Sequence, residues 1–201
     1  EVCKKGPIFE PKFIFYKTSS WKKISKESQK AFEFLLKEFK NNIEVFDEPS
    51  YFKDIPKYHQ IIHETDMANS FQDFYKKSKK KMGKKLVEAI ERGLKYSAKD
   101  YVDAVDFMKQ SYKSYSEVFE DYYGVITPAS LGVADKGLLS TGSPELSTIW
   151  TYMGLPTISL PLLSGENNLP LGVQLVGDKL DDLRFLASAN WLEKNCKEKN
   201  D

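Results

Sequence analysis

Between Thr141 and Leu192 the chain reads helix, strand, turn, strand, helix, and no other stretch restricts the fold as much. Glu145 to Met153 has helical spacing and stops at Gly154 and Pro156. Glycine closes a helix in the left-handed region, and the residue before a proline is pushed out of the helical region. Thr157 to Leu160 and Leu171 to Val176 read as strands around the turn Ser164-Gly165-Glu166-Asn167-Asn168. A closing helix follows from about Asp181 to Lys194, with Leu183, Phe185, Leu186, Ala189 and Leu192 available to pack. This order calls for a sheet covered by helices, an α/β architecture.

The other end of the chain agrees. Lys12 to Tyr16 is a short aromatic and β-branched run that fits a strand. Ser25 caps a helix whose Phe32, Leu35, Leu36 and Phe39 form one stripe, ended by Asn41-Asn42. Ile43 to Phe46 is a second strand. Strand, helix, strand at this spacing suits a βαβ unit with parallel strands. Tyr51 to Tyr75 reads as mainly helical, and Leu86 to Leu94 as a second helix. Ser97 caps the longest helix, Ala98 to about Asp121, with Asp100 complementing its dipole and Val102, Val105, Met108, Tyr112, Tyr115 and Phe119 as its seam. Gly124 to Thr127 is a buried strand ending at Pro128. Ala129 to Ser143 is irregular, a loop over the surface or over a pocket.

Composition narrows the class. Hydrophobic content of 41% and aromatic content of 13% support a packed core. The net charge of +1 supplies no global field for nucleic acid or an acidic membrane, so neither is expected as a partner. The two cysteines, Cys3 and Cys196, make no CxxC pair, and a reducing cytoplasm is the expected setting. No apolar run approaches the ~20 residues of a spanning helix. The chain opens on Glu1 with no basic-then-apolar leader, which leads to the expectation of a fragment of a longer protein.

A series of motifs in fixed order carries more. It comprises Ile126-Thr127-Pro128, Thr141-Gly142-Ser143-Pro144, Trp150-Thr151, Gly154-Leu155-Pro156 with Pro161, Leu169 to Gly177, and Asp181-Asp182 through Trp191 and Glu193. Each has a plain structural explanation alone, as a helix stop, a turn or a core residue. Together they resemble the C-terminal portion of the amidase signature hydrolases. The resemblance implies residues 1–201 as the C-terminal part of a single amidase domain, an α/β/α sandwich around a mixed sheet. It also implies hydrolysis of a carboxamide by a serine nucleophile, with a lysine as base acting through a second serine and backbone N–H groups holding the oxyanion.

In that family the serines sit in a Gly/Ser-rich segment upstream of this region, so no catalytic residue is assigned within the chain. Ser19-Ser20 beside Lys17 lacks the glycines and reads as turn chemistry. The family places the Ser140 to Ser143 loop near the acyl pocket, so Thr141, Gly142, Trp150 and Thr151 are the candidate substrate contacts. Some relatives that act on carboxylate-bearing substrates hold the carboxylate with an arginine in the long helix. That position falls here at Met108, beside Lys109, which favours a neutral amide.

His59 and His63 share a helical face and could share a metal with Glu64 alongside. They are the only histidines, a further ligand is missing, and the expectation is no metal and no cofactor. The lysines between Lys76 and Lys85 read as a solvated linker or helix face. The expected partners are a small-molecule amide and the upstream catalytic region, with the oligomeric state left open. The alternative is a non-catalytic binding or scaffold protein built on the amidase fold.

Overall fold

Phe13–Lys17 forms β1, and four of its five residues are buried because it runs through the middle of the sheet. After a 3-10 turn over Ser19–Lys23 comes α1, Lys26–Glu38, whose first turn is closed by the Ser25 hydroxyl accepting the Ser28 N–H at 3.2 Å. Phe32, Leu35 and Phe39 are its buried stripe, as their spacing requires. The chain then returns as β2, Ile43–Asp47, parallel to β1 in the register Phe13↔Ile43 to Lys17↔Asp47. The expected βαβ unit is present. The computed structural model of the protein describes Pro7 and residues 10–137 and 141–200, with side chains as far as Cys196.

The chain divides into two compact units, one taking in the residues up to Ser50 and from Tyr115 onward, the other Tyr51–Ser114. The second unit is helical. A 3-10 turn over Ser50–Asp54 leads into α2, Ile55–Ser70, then α3, Gln72–Ser78, and after the turn Lys79–Lys81, α4, Lys84–Gly93. The next helix, α5, spans Ala98–Ser116, of which the residues up to Ser114 belong to this unit, and it begins with a reciprocal cap. Ser97 Oγ accepts the Asp100 N–H at 3.1 Å while Asp100 Oδ2 accepts the Ser97 N–H at 2.8 Å. The helix expected to run on to Asp121 breaks at Glu117 and resumes as α6, Val118–Asp121. Its seam is also displaced: Val102 is 55% exposed, and the buried positions are Ala104, Ser111, Tyr115 and Phe119.

The first unit continues with β3, Gly124–Pro128, buried throughout, and α7, Glu145–Met153. Gly154 ends α7 at φ +69°, with the Leu155 N–H donating back to Trp150 O at 3.0 Å, the left-handed closure that the Gly-Leu-Pro sequence announced. Two strands follow, β4 (Thr157–Ser164) and β5 (Pro170–Val176), then α8, Asp182–Asn200. β4 runs past its expected end at Leu160 by taking a register shift between Leu160 and Leu163, which accommodates Pro161 on an outer strand. In α8 the packed side chains are Phe185, Ala189, Leu192 and Cys196, while Leu183 and Leu186 point to solvent. Cys3 lies outside the described residues.

The five strands form one mixed sheet in the order β2-β1-β3-β5-β4, parallel up to β3 and antiparallel beyond it. Its two faces differ in chemistry. Phe13, Phe15, Ile126, Val173 and Leu175 turn toward the aromatic and aliphatic stripes of α1 and α8. The opposite face carries Tyr16, buried Thr127, Gln174 and Ser159 in one row across the strands, and Gln174 Nε2 donates to Ser147 Oγ of α7 at 3.3 Å. Helices on both faces of a mixed sheet give the α/β sandwich the motif order implied. Among the described residues no helix is long and apolar enough to cross a membrane.

Candidate functional site

The sheet order turns around at β1, which pairs in parallel with β2 on one side and β3 on the other. In open α/β sheets such a reversal leaves a crevice outside the carboxyl ends of the strands. A cavity of about 750 Å³ lies past the carboxyl end of β3 and beside the start of β5 at Pro170. The rest of its described lining comes from two loop segments, residues 130–135 with Gly137, and residues 141–143.

Local chemistry fixes both segments. The first leaves β3 with the Ala129 N–H still paired to Gly172 O at 3.0 Å, and Leu131 O accepts the Ser25 N–H at 3.1 Å. The Ser130 hydroxyl donates to Gly132 O, tightening the turn. Gly137 and Gly142 line the cavity at φ +99° and +79°, a conformation that costs a residue with a Cβ far more than glycine.

The second segment is held by Glu145 at the start of α7. Its carboxylate accepts from Ser143 Oγ at 3.1 Å, from Lys23 Nζ at 3.0 Å and from the Ser20 hydroxyl. The Ser20 bond, with those from Lys23 and Ser143 and the lysine charge, outweighs partial burial and holds the Glu145 carboxyl below its ordinary value. The Lys23–Glu145 pair is largely solvated and contributes little energy, so its effect here is position.

The sequence candidates separate in space. Thr141 and Gly142 both line the cavity. Trp150, on the buried side of α7, is 1% exposed and packs its ring 5.8 Å from that of Tyr115. Thr151 is exposed on the next position of the same helix. Ser140 lies outside the described residues. Ser143, in the same loop that the sequence pointed to, lines the cavity too, and so do Ser130 and Asp135, which were not singled out from the sequence. The only sign of them was a polar loop between a buried strand and a helix, which does not say which side chains turn inward.

Ser19 and Ser20 are used structurally. The Ser19 N–H donates to Glu48 Oε1 at 2.9 Å, Ser20 serves Glu145, and Lys17 Nζ stands 5.8 Å from the Trp21 ring centre. His59 and His63 stack on α2 with ring centres 5.5 Å apart, and no group of three or more potential ligands occurs among the described residues. Met108 is partly buried, and Lys109 pairs with Asp106 at 3.4 Å.

A mixed sheet with this cavity is common to several enzyme families, and comparison with known proteins decides among them. The model of the family described as Amidase matches residues 10–186. The chain belongs to the amidase family. It is 31% identical over 124 residues to a glutamyl-tRNA(Gln) amidotransferase subunit from Alkaliphilus metalliredigens, a match covering 56% of this chain and 25% of that protein. The corresponding protein of Wolinella succinogenes is 31% identical over 140 residues, covering 63% and 31%.

Among solved structures, an amidase superposes with a TM-score of 0.79 at 21% identity, covering 94% of this chain and 47% of that one. The glutamyl-tRNA(Gln) amidotransferase subunit from Thermotoga maritima superposes with 0.70 at 22% identity, covering 95% and 43%. At such identities these likenesses speak for the fold alone. The chain therefore spans under a third of the curated amidase relatives and under half of the solved ones.

Proposed function

We propose that this chain is one part of an amidase that hydrolyses a carboxamide C–N bond, and that both compact units belong to a single amidase domain. In this reading an upstream region supplies a serine nucleophile, a second serine and a lysine. The nucleophile adds to the amide carbonyl carbon as the lysine, through the second serine, takes its proton. Backbone N–H groups hold the oxyanion until the C–N bond breaks and the amine leaves with that proton. Water then hydrolyses the acyl-enzyme.

The observation that carries this reading is the cavity at the carboxyl end of β3 in a chain that matches the Amidase family over residues 10–186. The contribution of this chain is a wall of the substrate cleft. Thr141 and Gly142 make the contacts, while Trp150 and Thr151 act through the placement of α7. Asp135 is the one ionisable side chain in the described lining, and a wall without a cation suits a neutral amide better than a carboxylate-bearing one.

The test uses the purified chain alone and the chain joined to the segment encoded before it, each with simple aryl and aliphatic amides. The joined protein should turn amides over and the isolated chain should not. Turnover by the isolated chain that disappears in Ser19→Ala or Ser20→Ala would overturn the assignment. A joined protein that binds amides without cleaving them would instead be the scaffold.

A further inference from the structure

Phe71, at the junction of α2 and α3, and Phe74, within α3, are exposed directly ahead of a cluster of lysines, all within the helical unit. Phe71 is 39% and Phe74 66% exposed, and they stand three positions apart, so both occupy one face of the helical turn. Burying either ring would stabilise the fold, yet both face water. Lys76, Lys77, Lys80, Lys81 and Lys85 are exposed, and none forms an ion pair among the described residues. The neighbouring acids are largely occupied. Glu91 accepts from Lys79 at 2.6 Å and from Tyr75 at 2.9 Å, and Glu88 lies 3.8 Å from Lys84, while Asp73 is the acidic residue between the two phenylalanines in sequence.

We propose that Phe71, Phe74 and these five lysines form a docking surface for an anionic lipid membrane. Rings that enter the boundary between headgroups and acyl chains, beside ammonium groups that stay at the headgroups, are the two components of interfacial attachment. The long lysine stems let the charges reach the surface as the rings descend. The separation of the two components favours lipid over nucleic acid. Single-strand binders interleave aromatic platforms with cations along the strand, whereas here the rings precede the lysines. The nearest guanidinium, Arg92, is committed to Glu64, and the remaining aromatic, Tyr75, is bound to Glu91 and covered by Lys79 at 5.0 Å. This revises the expectations of a merely solvated lysine face and of no membrane partner, because the exposure of the two phenylalanines could not be read from the sequence and a local patch needs no global field.

The test is co-sedimentation of the chain with vesicles of phosphatidylcholine alone and with vesicles containing added phosphatidylserine. Binding should require phosphatidylserine and weaken as salt is raised. Each lysine near such a surface is worth about fivefold in affinity, so Lys80→Glu with Lys81→Glu should weaken binding more than about 25-fold. Phe74→Ser should weaken it while leaving the salt dependence unchanged. These side chains are exposed, and circular dichroism of each variant checks that it is folded. Equal binding to both vesicle types, no vesicle binding, or unchanged binding by the variants overturns the proposal. So does capture of a structured RNA without capture of vesicles, which would make the patch a nucleic-acid surface.

Discussion

Glu64 is 4% exposed, and burial alone would raise its carboxyl pKa. Arg92 opposes this with two bonds to Oε1, at 2.8 Å from Nε and 2.6 Å from a terminal nitrogen, while Gln60 donates to Oε1 at 3.1 Å and Tyr96 to Oε2 at 3.2 Å. Those bonds and the guanidinium charge prevail and hold the carboxyl below its ordinary value of 4.5. A carboxyl lowered by folding stabilises the fold above its unfolded pKa, and that stability is lost as pH falls through the folded pKa. Stability should therefore decline below the ordinary carboxylate range. Arg92→Ala should cost about 1–3 kcal/mol at neutral pH and flatten that acid decline, as read from urea unfolding at several pH values. An unchanged pH profile in folded Arg92→Ala would show that Glu64 is not the group responsible. None of this was legible in the sequence, since a glutamate and an arginine on separate helices carry no local signal of pairing. Thr141 and Gly142 were legible because the Thr-Gly-Ser-Pro motif named them. Asp135 and Ser130 were not, because a loop's inward side chains depend on how it folds over the sheet.

Gly93, near the end of α4, shows how an element is placed by the absence of a side chain. A Cβ there would lie 2.0 Å from the Glu64 carbonyl oxygen and 2.5 Å from its carbon, so α4 comes up against the backbone of α2. Replacing a helical glycine by alanine gains about 1 kcal/mol in propensity. Backbone atoms cannot move aside as a flexible side chain can, and overpacking costs about 1–3 kcal/mol or more. The clash wins. Gly93→Ala should lower Tm, and a raised Tm would mean that the helices separate without loss. In the sequence Gly93 falls one position before the expected helix end at Leu94, with nothing to mark a close approach. Elements were readable where one face is strongly apolar, as in α1, where a short run is apolar throughout, as in β1, or where Gly and Pro punctuate, as at Gly154. They were misread in α5, where Val102 and Ala104 lie within two positions and hydrophobicity favoured the exposed one. Ala104 and Ser111 are buried there although neither is strongly hydrophobic, so hydrophobicity alone does not mark them.

At the scale of the sheet, the two outer strands are protected by different means. β2 exposes Glu44 and Asp47 beside Val45 and Phe46, and charge on an outer strand discourages pairing with another chain. β4 carries Pro161 and a register shift, which interrupt the row of N–H groups that a new strand would need. Its flank is less well covered. A hollow of about 430 Å³ is lined by Ala31, Phe34, Leu162, Leu163 and Ser164, and Phe34 is 50% exposed on α1. The sequence stripe of α1 accounts for Phe32, Leu35 and Phe39 but leaves Phe34 outside it, so its own helix gives that ring no burial. Apolar surface of this kind drives association as concentration rises, in proportion to the area removed from water. Phe34→Glu should therefore reduce concentration-dependent association in light scattering. It should leave the unfolding free energy within about 0.5 kcal/mol of the parent, because substitutions at exposed sites seldom change stability by more. If association is unchanged, the hollow is not the contact and the other outer strand, with Val45 and Phe46, becomes the surface to alter. If stability drops steeply while the chain stays monomeric, the Phe34 ring is packing on α1 and β4 more tightly than its exposure indicates, and the hollow belongs to the core.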